Sequence, residues 1–482
     1  MSAGTSTASF KDWAWYLVGV IGMPLLLAPL GLSAKQVLAV AGFGIVLFGA
    51  IFFWQYRLAF ACFGISLLLS TGLLDVPHLI EFAGLDIILF LIAMMTIIGF
   101  MEERLFFEYV IEQLLTWIGP HPRRILVVMM IMASISAALV DEVTSILFMT
   151  VALLNLLGKS SKVNPIPFIL MIVFATNIGS SATVVGNPVG VIIAMRSGLT
   201  FSDFLRWATP ISAVCAAIAI PLCLWLFRKD IDGLKGVLTG KRGERHIEQV
   251  VDERKAKRGV AQSGSLFALV VIGLVLHHQL EHWLGLPPNT MLLGVSLLGA
   301  GVALAMSGHG ARALMEKRVD WWTLAFFLLL FASVGTLKFT GVTSVLAARI
   351  VELSGGSVPV LVSLFVWSSG VLTAVMDNVL AVATFVPIVS DVAQTGIPTF
   401  PLWWAMLFGG TLMGNATLIG STANIVAAGL LERREMGTIT FGQWLKPGLL
   451  IAIPTTILAN LLLLAQLSLM PASVAASIPP VH

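Results

Sequence analysis

The chain has 482 residues, of which 58% are hydrophobic and 11% charged. A soluble globule carries about 45–50% apolar and about 25% charged residues, so these proportions exclude an ordinary water-soluble domain and indicate a polytopic membrane protein. The formal net charge of +3 is small, and nucleic-acid binding would need basic residues gathered on one accessible face.

Apolar runs near the length of a bilayer crossing, about 20 residues, recur along the chain. They lie at 14–33, 36–54, 58–74, 84–101, 124–139, 143–158, 167–195, 209–227, 264–284, 290–307, 321–338, 359–376, 379–393, 402–430 and 447–469. The first is long and is followed at once by another, so it reads as an N-terminal transmembrane helix within 1–34 and not as a cleavable signal. Cys62, Cys215 and Cys223 sit in apolar helices without metal-ligand spacing and are expected to be buried, reduced thiols. Two stretches turn amphipathic and predict helices lying at the membrane surface. They are 102–118, with Glu102, Glu103, Arg104, Glu108 and Glu112, and 343–355, with Arg349 and Glu352.

Composition breaks once, at 228–262, where Arg228, Lys229, Lys235, Lys241, Arg242, Arg245, Arg254, Lys255, Lys257 and Arg258 mix with acidic residues. Short Lys/Arg-rich loops stay in the cytoplasm. We therefore expect a cytoplasmic linker here, joining a first repeat at 35–227 to a second at 263–470, with a tail at 471–482.

The two halves overlay at a nearly constant offset. Gly99 falls on Gly335, Asp141 on Asp377, and Ala182-Thr183-Val184-Val185-Gly186 on Ala416-Thr417-Leu418-Ile419-Gly420. Further on, Thr200 to Arg206 falls on Thr440 to Lys446, the offset drifting only from 234 to 240. In each half a segment rich in small residues (Ser134, Ser136, Ala137, Ala138; Ser368, Ser369, Gly370) precedes the aspartate and reads as one arm of a re-entrant hairpin. A second break follows at 177–188 and at 414–424, where Gly179, Gly186 and Pro188 interrupt the helix and leave carbonyls and half-helix N-termini free to face an ion or solute. The expected fold is all-α and polytopic, with two repeats that each carry a hairpin and a broken transmembrane helix.

Carboxylates at membrane depth are costly, about 2.5–3.5 kcal/mol each at mid-helix, so their repetition points to binding. Asp141, Glu142 and Asp377 with Asn378 are the candidate coupling residues, since a carboxylate withdrawn from water exchanges a proton or holds a cation. Asn177, Thr183, Asn187, Asn415, Thr417, Ser421, Thr422 and Asn424 offer neutral donors and acceptors to orient a small solute. The structural alternative is that these side chains bond only neighbouring backbone or glue helices together. Neither constellation contains Lys or Arg, which favours neutral or cationic cargo; Arg196 and Lys446 read as interfacial anchors. The coupling ion is a proton or sodium, and no further cofactor is expected.

Two lookalikes are discounted. His278-Gln279-Leu280-Glu281-His282 has a zinc-peptidase spacing but closes an apolar helix beside His277 and Trp283, as interfacial side chains do. Gly240-Lys241 has Lys235 where a P-loop needs glycine, so the chain is no ATPase itself, and an ATPase could enter only as a separate subunit.

At these motifs the chain resembles the ion transporter superfamily, in the branch of arsenite permeases, D-type sodium/proton antiporters and the pink-eyed-dilution P protein. The resemblance rests on Val375 to Asn378, on Gly410 to Val426 and on Asn177 to Thr183, and it covers about 35–470. Where the P-type pattern has Gly-Asp-Pro-Pro-Asn, this chain has Gly186-Asn187-Pro188-Val189-Gly190, which leaves a one-for-one transfer of the first-half cation site open. The resemblance implies inverted repeats, a transport domain carried by a scaffold, elevator-like alternating access and a homodimer in a bacterial inner membrane. The leading expectation is proton-coupled efflux of arsenite or antimonite, whose neutral trihydroxide suits acids, amides and hydroxyls without a capturing cysteine. Sodium/proton antiport, with Asp141 and Asp377 as competing sites, and sodium-coupled carboxylate uptake are the alternatives. A channel or scaffolding protein is the reading from another class.

Overall fold

A computed structural model describes residues 10–110, 113, 121–157, 163–234 and 253–471. Expectations resting on Glu112, on 235–252 of the linker, including Lys241 and the glycine before it, and on the tail beyond 471 lie outside the described residues. Among the described residues all regular structure is helical, and ten helices are long and apolar enough to cross a membrane.

The chain opens with α1 (Phe10–Leu27), α2 (Ala34–Phe52), α3 (Arg57–Ser70), α4 (Val76–Phe82) and α5 (Leu85–Glu103). Ser33 starts α2 with a capping box to Gln36, satisfying two of the amides a helix start leaves free. Next come α6 (Pro122–Leu139), α7 (Glu142–Leu157), α8 (Ile166–Ser180), α9 (Pro188–Ser197) and α10 (Phe201–Leu226). The second half runs α11 (Glu253–Leu284), α12 (Thr290–Ser307), α13 (Ala311–Arg318), α14 (Trp321–Phe339), α15 (Val342–Ser354), α16 (Val358–Val375), α17 (Asn378–Ala393), α18 (Phe400–Leu412), α19 (Thr422–Arg433) and α20 (Phe441–Gln466).

The duplication is carried into three dimensions. Helices α6 and α16 are each 18 residues, and α7 and α17 are each 16. The starts of α10 and α20 carry equivalent capping boxes, Thr200 with Asp203 and Thr440 with Gln443. In each half the two hairpin arms pack on one central helix, α6 and α7 on α8, α16 and α17 on α18. Every residue of α18 is buried, and all of α8 except Ile166. Helices apolar on all sides belong inside a bundle.

The halves exchange partners. Helix α9 packs on α17 and α18, while α19 packs on α7 and α8, and α10 lies against α20. Outside this core, α12 packs on α5, and α2 and α3 pack on α14. Such reciprocal contacts are what a pseudo-two-fold operator produces. The described residues thus form a core, α6–α10 with α16–α20, set in a frame of α1–α5 and α11–α14, with α15 packed on α17 of the core and α14 of the frame.

Several local readings change. Cys62 is exposed on α3, whereas Cys215 and Cys223 are buried and free as expected. His277 and Glu281 are buried within α11, Glu281 accepting from Met291 N at 2.9 Å, because α11 turns these positions toward α12 while His278, His282 and Trp283 face outward. No group of three or more His, Cys, Asp and Glu side chains able to hold a metal occurs among the described residues. Helix α11 begins at Glu253, so the basic end of the linker is already helical.

Candidate functional site

Four helices begin at the centre of the core, and each start is capped by a predicted site residue or its neighbour. Asp141 Oδ1 accepts from Val143 N at 2.7 Å and Thr144 N at 3.1 Å, and Asp377 Oδ1 accepts from Val379 N at 3.0 Å. Asn187 Oδ1 accepts from Gly190 N at 2.8 Å, and Ser421 Oγ accepts from Ala423 N at 3.2 Å. The positive ends of α7, α9, α17 and α19 therefore converge, where they favour carboxylates or other electron-rich oxygens. The two hairpin tips differ in backbone: Asp377 has φ −60°, but Asp141 has φ +150°, a region that non-glycine residues enter only under strain of about 1–3 kcal/mol.

Glu142 is the hub. It is 2% exposed, and donors from both repeats surround it: Ser180 Oγ lies 3.1 Å from Oε2, Asn378 Nδ2 donates to Oε1 at 3.1 Å, and Ser421 Oγ donates to Oε1 at 3.2 Å. Glu142 and Asn378 occupy equivalent positions in the two repeats, so their contact lies on the pseudo-axis. Asn187 Nδ2 extends the chain of bonds by donating to Ser180 Oγ at 2.8 Å.

Beside it, Asn177 Nδ2 donates to Asn415 Oδ1 at 2.8 Å and to Asn424 Oδ1 at 2.9 Å, again across the repeat boundary. Asn424 Nδ2 in turn donates to Gly414 O at 2.8 Å and Thr417 O at 2.9 Å, holding the second break. Asn177 Oδ1 and Asn378 Oδ1 are buried without a hydrogen-bond partner. Unpaired buried acceptors are costly, and two of them near a carboxylate suit a protonated acid, a hard cation or a hydroxylated solute.

Not every predicted residue faces this hub. Thr183 Oγ1 donates to Ala138 O, and Thr417 Oγ1 donates to Ala374 O, equivalent bonds that tie each break to the end of its own hairpin arm. Thr422 Oγ1 donates to Asp377 Oδ2 at 2.7 Å. Arg196 departs from the anchor reading: its guanidinium grips Asp86 with two bonds of 2.9 and 3.1 Å, joining the last turn of core helix α9 to the first turn of frame helix α5. Lys446 is exposed, in keeping with an anchor.

Ser180 and Arg57 were not among the predicted ligands. Arg57, 6% exposed at the start of α3, donates to Thr323 Oγ1 at 2.7 Å and lies 4.1 Å over the Trp54 ring, with the carboxylates of Asp377 and Asp320 both close enough to act on its charge. In sequence it stands between two apolar runs, where a lone arginine looks like any interfacial residue. The two constellations themselves contain no Lys or Arg, and Arg57 approaches the second one from the frame, outside the motifs.

The chain matches the model of the citrate transporter family over residues 47–409 and 290–478, the overlap being what an internal duplication allows. It belongs to the citrate transporter family. An uncharacterised transporter of Mycobacterium tuberculosis is 32% identical over 384 residues, covering 78% of this chain and 85% of that protein. An uncharacterised transporter of Synechocystis is 25% identical, covering 76% of this chain and 83% of that protein. The human P protein is 24% identical over 435 residues, 75% of this chain but 51% of that protein. The crystal structure of the Alcanivorax borkumensis YdaH transporter superposes with a TM-score of 0.55 at 15% identity, covering 95% of this chain and 98% of that chain, a likeness of fold. The chain is an integral membrane transporter of this family, and the superfamily resemblance read from its motifs holds.

Proposed function

We propose that this chain is a proton-coupled secondary transporter that moves a small oxygen-rich solute by carrying the core past the frame. Glu142 carries the reading. A single buried carboxylate, reached by donors from both repeats and seated where the helix starts converge, is a group whose protonation would alter contacts in both halves at once. Asp377 and Asp141, capping the hairpin helices, would tie cargo or sodium to the hairpin tips. Arsenite or antimonite is the first cargo to test, because a neutral trihydroxide offers O–H groups to carboxylates and lone pairs to amides and hydroxyls. The setting is a bacterial inner membrane, with 228–262 cytoplasmic and two copies per assembly.

A second reading, uptake or exchange of a small carboxylate, is favoured by Arg57 near Asp377 and by the description of the matched family. Proteoliposomes offered arsenite, antimonite, citrate, succinate or sodium, with and without a pH gradient, distinguish them. Arsenite accumulation driven by the gradient supports the first reading. Citrate movement with arsenite ignored replaces it with the second, and equilibration without accumulation for every solute makes the protein a channel.

A further inference from the structure

A second opening, far from the hub, is a cleft of about 590 Å³ between α1 and the second hairpin. Helices α1 and α2 wall it from the frame and α16 and α17 from the core, while Leu346 and Ile350 of α15 close one end. Val18 on its edge is 59% exposed, so the cleft opens along α1 toward the bilayer. Its polar lining residue, Thr384, donates its hydroxyl to Leu380 O at 2.9 Å, which leaves water no partner inside. An apolar void destabilises in proportion to its unfilled volume, and one without polar partners stays dry. Two glycines of α1 bear on what fills it. A Cβ on Gly19 would meet the Phe48 ring at 2.5 Å, so that glycine lets α1 close on α2, whereas a Cβ on Gly22 would meet nothing within 4 Å. Glycine weakens a helix interior. No protein contact asks for one at Gly22, and its missing side chain widens the cleft.

The cleft also has a direction. Gln36 Nε2 donates to Thr340 O at 3.2 Å, which sets the start of α2 beside the start of α15, and the short connection from α1 keeps Leu27 at the same membrane face. Leu27, Leu346 and Ile350 therefore mark the mouth, and Val18 lies about 13 Å deeper along α1, close to the depth of one leaflet of an about 30 Å hydrocarbon core. Lys35 and Lys338 are exposed on either side of the Gln36–Thr340 bond. The acids of α15 and of the end of α17 are already engaged, Glu352 by Arg349 and Asp391 by Thr343 and Ser344. We propose that this cleft binds a bilayer phospholipid, its acyl chain between α1 and the second hairpin and its phosphate at Lys35 and Lys338. Lipid tails are as apolar as leucine, and exposed lysines suit a phosphate. The lipid bridges the frame and the core. The inference goes beyond the transport reading and depends on neither its cargo nor its coupling ion.

The test counts phosphatidylglycerol retained per chain by native mass spectrometry of the detergent-purified full chain, for wild type, Gly22→Leu, Gly22→Phe, Leu346→Phe and the double variant Lys35→Ala with Lys338→Ala. Wild type should keep a phospholipid through delipidation. Gly22→Leu and Gly22→Phe, which place a side chain in the cleft, should lower its occupancy about tenfold or more, the loss expected when several methylenes give up their buried contacts. Because nothing stands in the way of the added side chain, their unfolding midpoints in lipid-free detergent should stay level or rise. Leu346→Phe fills the cleft from the α15 wall and should act alike, which keeps the test open if a glycine variant fails to fold. The lysine double variant should lower retention less, since the acyl chain remains seated. Equal retention in wild type and in every folded cleft-filling variant overturns the site, and so does a wild type that keeps no phospholipid. A filling variant that changes the oligomeric mass with retention unaltered gives the cleft to a second copy of the chain and overturns it as well; each of these results leaves the transport reading standing.

Discussion

Glu142 and Asn378 occupy the same place in two copies of one motif, yet only one of them can carry a charge. Had both been acids, two carboxylates would meet on the pseudo-axis; had both been amides, nothing there could titrate. The single substitution between repeats leaves one ionisable group served by both halves. Glu142→Gln keeps the shape, with one oxygen still accepting from Asn378 and Ser421 and the new amide able to donate to the Ser180 hydroxyl, so it should fold normally and lose proton-coupled movement by at least about tenfold, equivalent to about 1.4 kcal/mol; purified protein with a wild-type unfolding midpoint and a collapsed rate is the expected pair of readings. Asp377→Asn should likewise abolish coupled movement in folded protein, whereas undiminished transport would reassign Asp377 to capping alone. Asp141 and Glu142 were legible as acids in an apolar run, but the contact between Glu142 and Asn378 was not, because it joins residues 236 positions apart through a fold in which the halves exchange partners.

At the scale of elements, the two breaks are built alike. Thr183 and Thr417 brace each break to its own hairpin, and a Cβ on Gly186 or Gly420 would approach the carbonyl of Ser180 to 2.1 Å or of Gly414 to 2.7 Å. Alanine at either glycine should therefore distort the break at a cost of about 1–3 kcal/mol, read as a lowered unfolding midpoint in detergent. Thr417→Val should cost about 1 kcal/mol and leave the hub intact. Such features were visible beforehand as repeated Gly/Ser/Thr strings, since a break needs small residues and hydroxyls wherever it occurs. Their division of labour was hidden: composition cannot distinguish a threonine that braces backbone from one that meets an acid, as Thr422 does. Arg57 was hidden for a related reason, because its guanidinium matters only once α3, α14 and the second hairpin are brought together.

Over the whole molecule, the boundary between frame and core has few polar ties and one broad greasy face. The Arg196–Asp86 pair joins α9 to α5, and a nearly wholly apolar cleft of about 590 Å³ separates α1 from α15 and α17, lined by Val18, Gly22, Phe48, Leu346 and Phe385. An apolar boundary slides without stranding hydrogen bonds, while a half-exposed ion pair is worth no more than about 1 kcal/mol. Asp86→Asn should thus shift the balance between end states by up to about fivefold, seen as altered reagent access to a cysteine replacing Gln55 in a Cys62→Ser background. Unaltered access would mean that the pair does not hold the core in the conformation described. The central claim, that one carboxylate shared by both repeats couples proton entry to solute movement, is tested most directly by recording proton flux with solute flux in the same proteoliposomes. Wild type should move both together and Glu142→Gln neither; proton-driven solute accumulation that persists at the wild-type rate in Glu142→Gln would contradict the account.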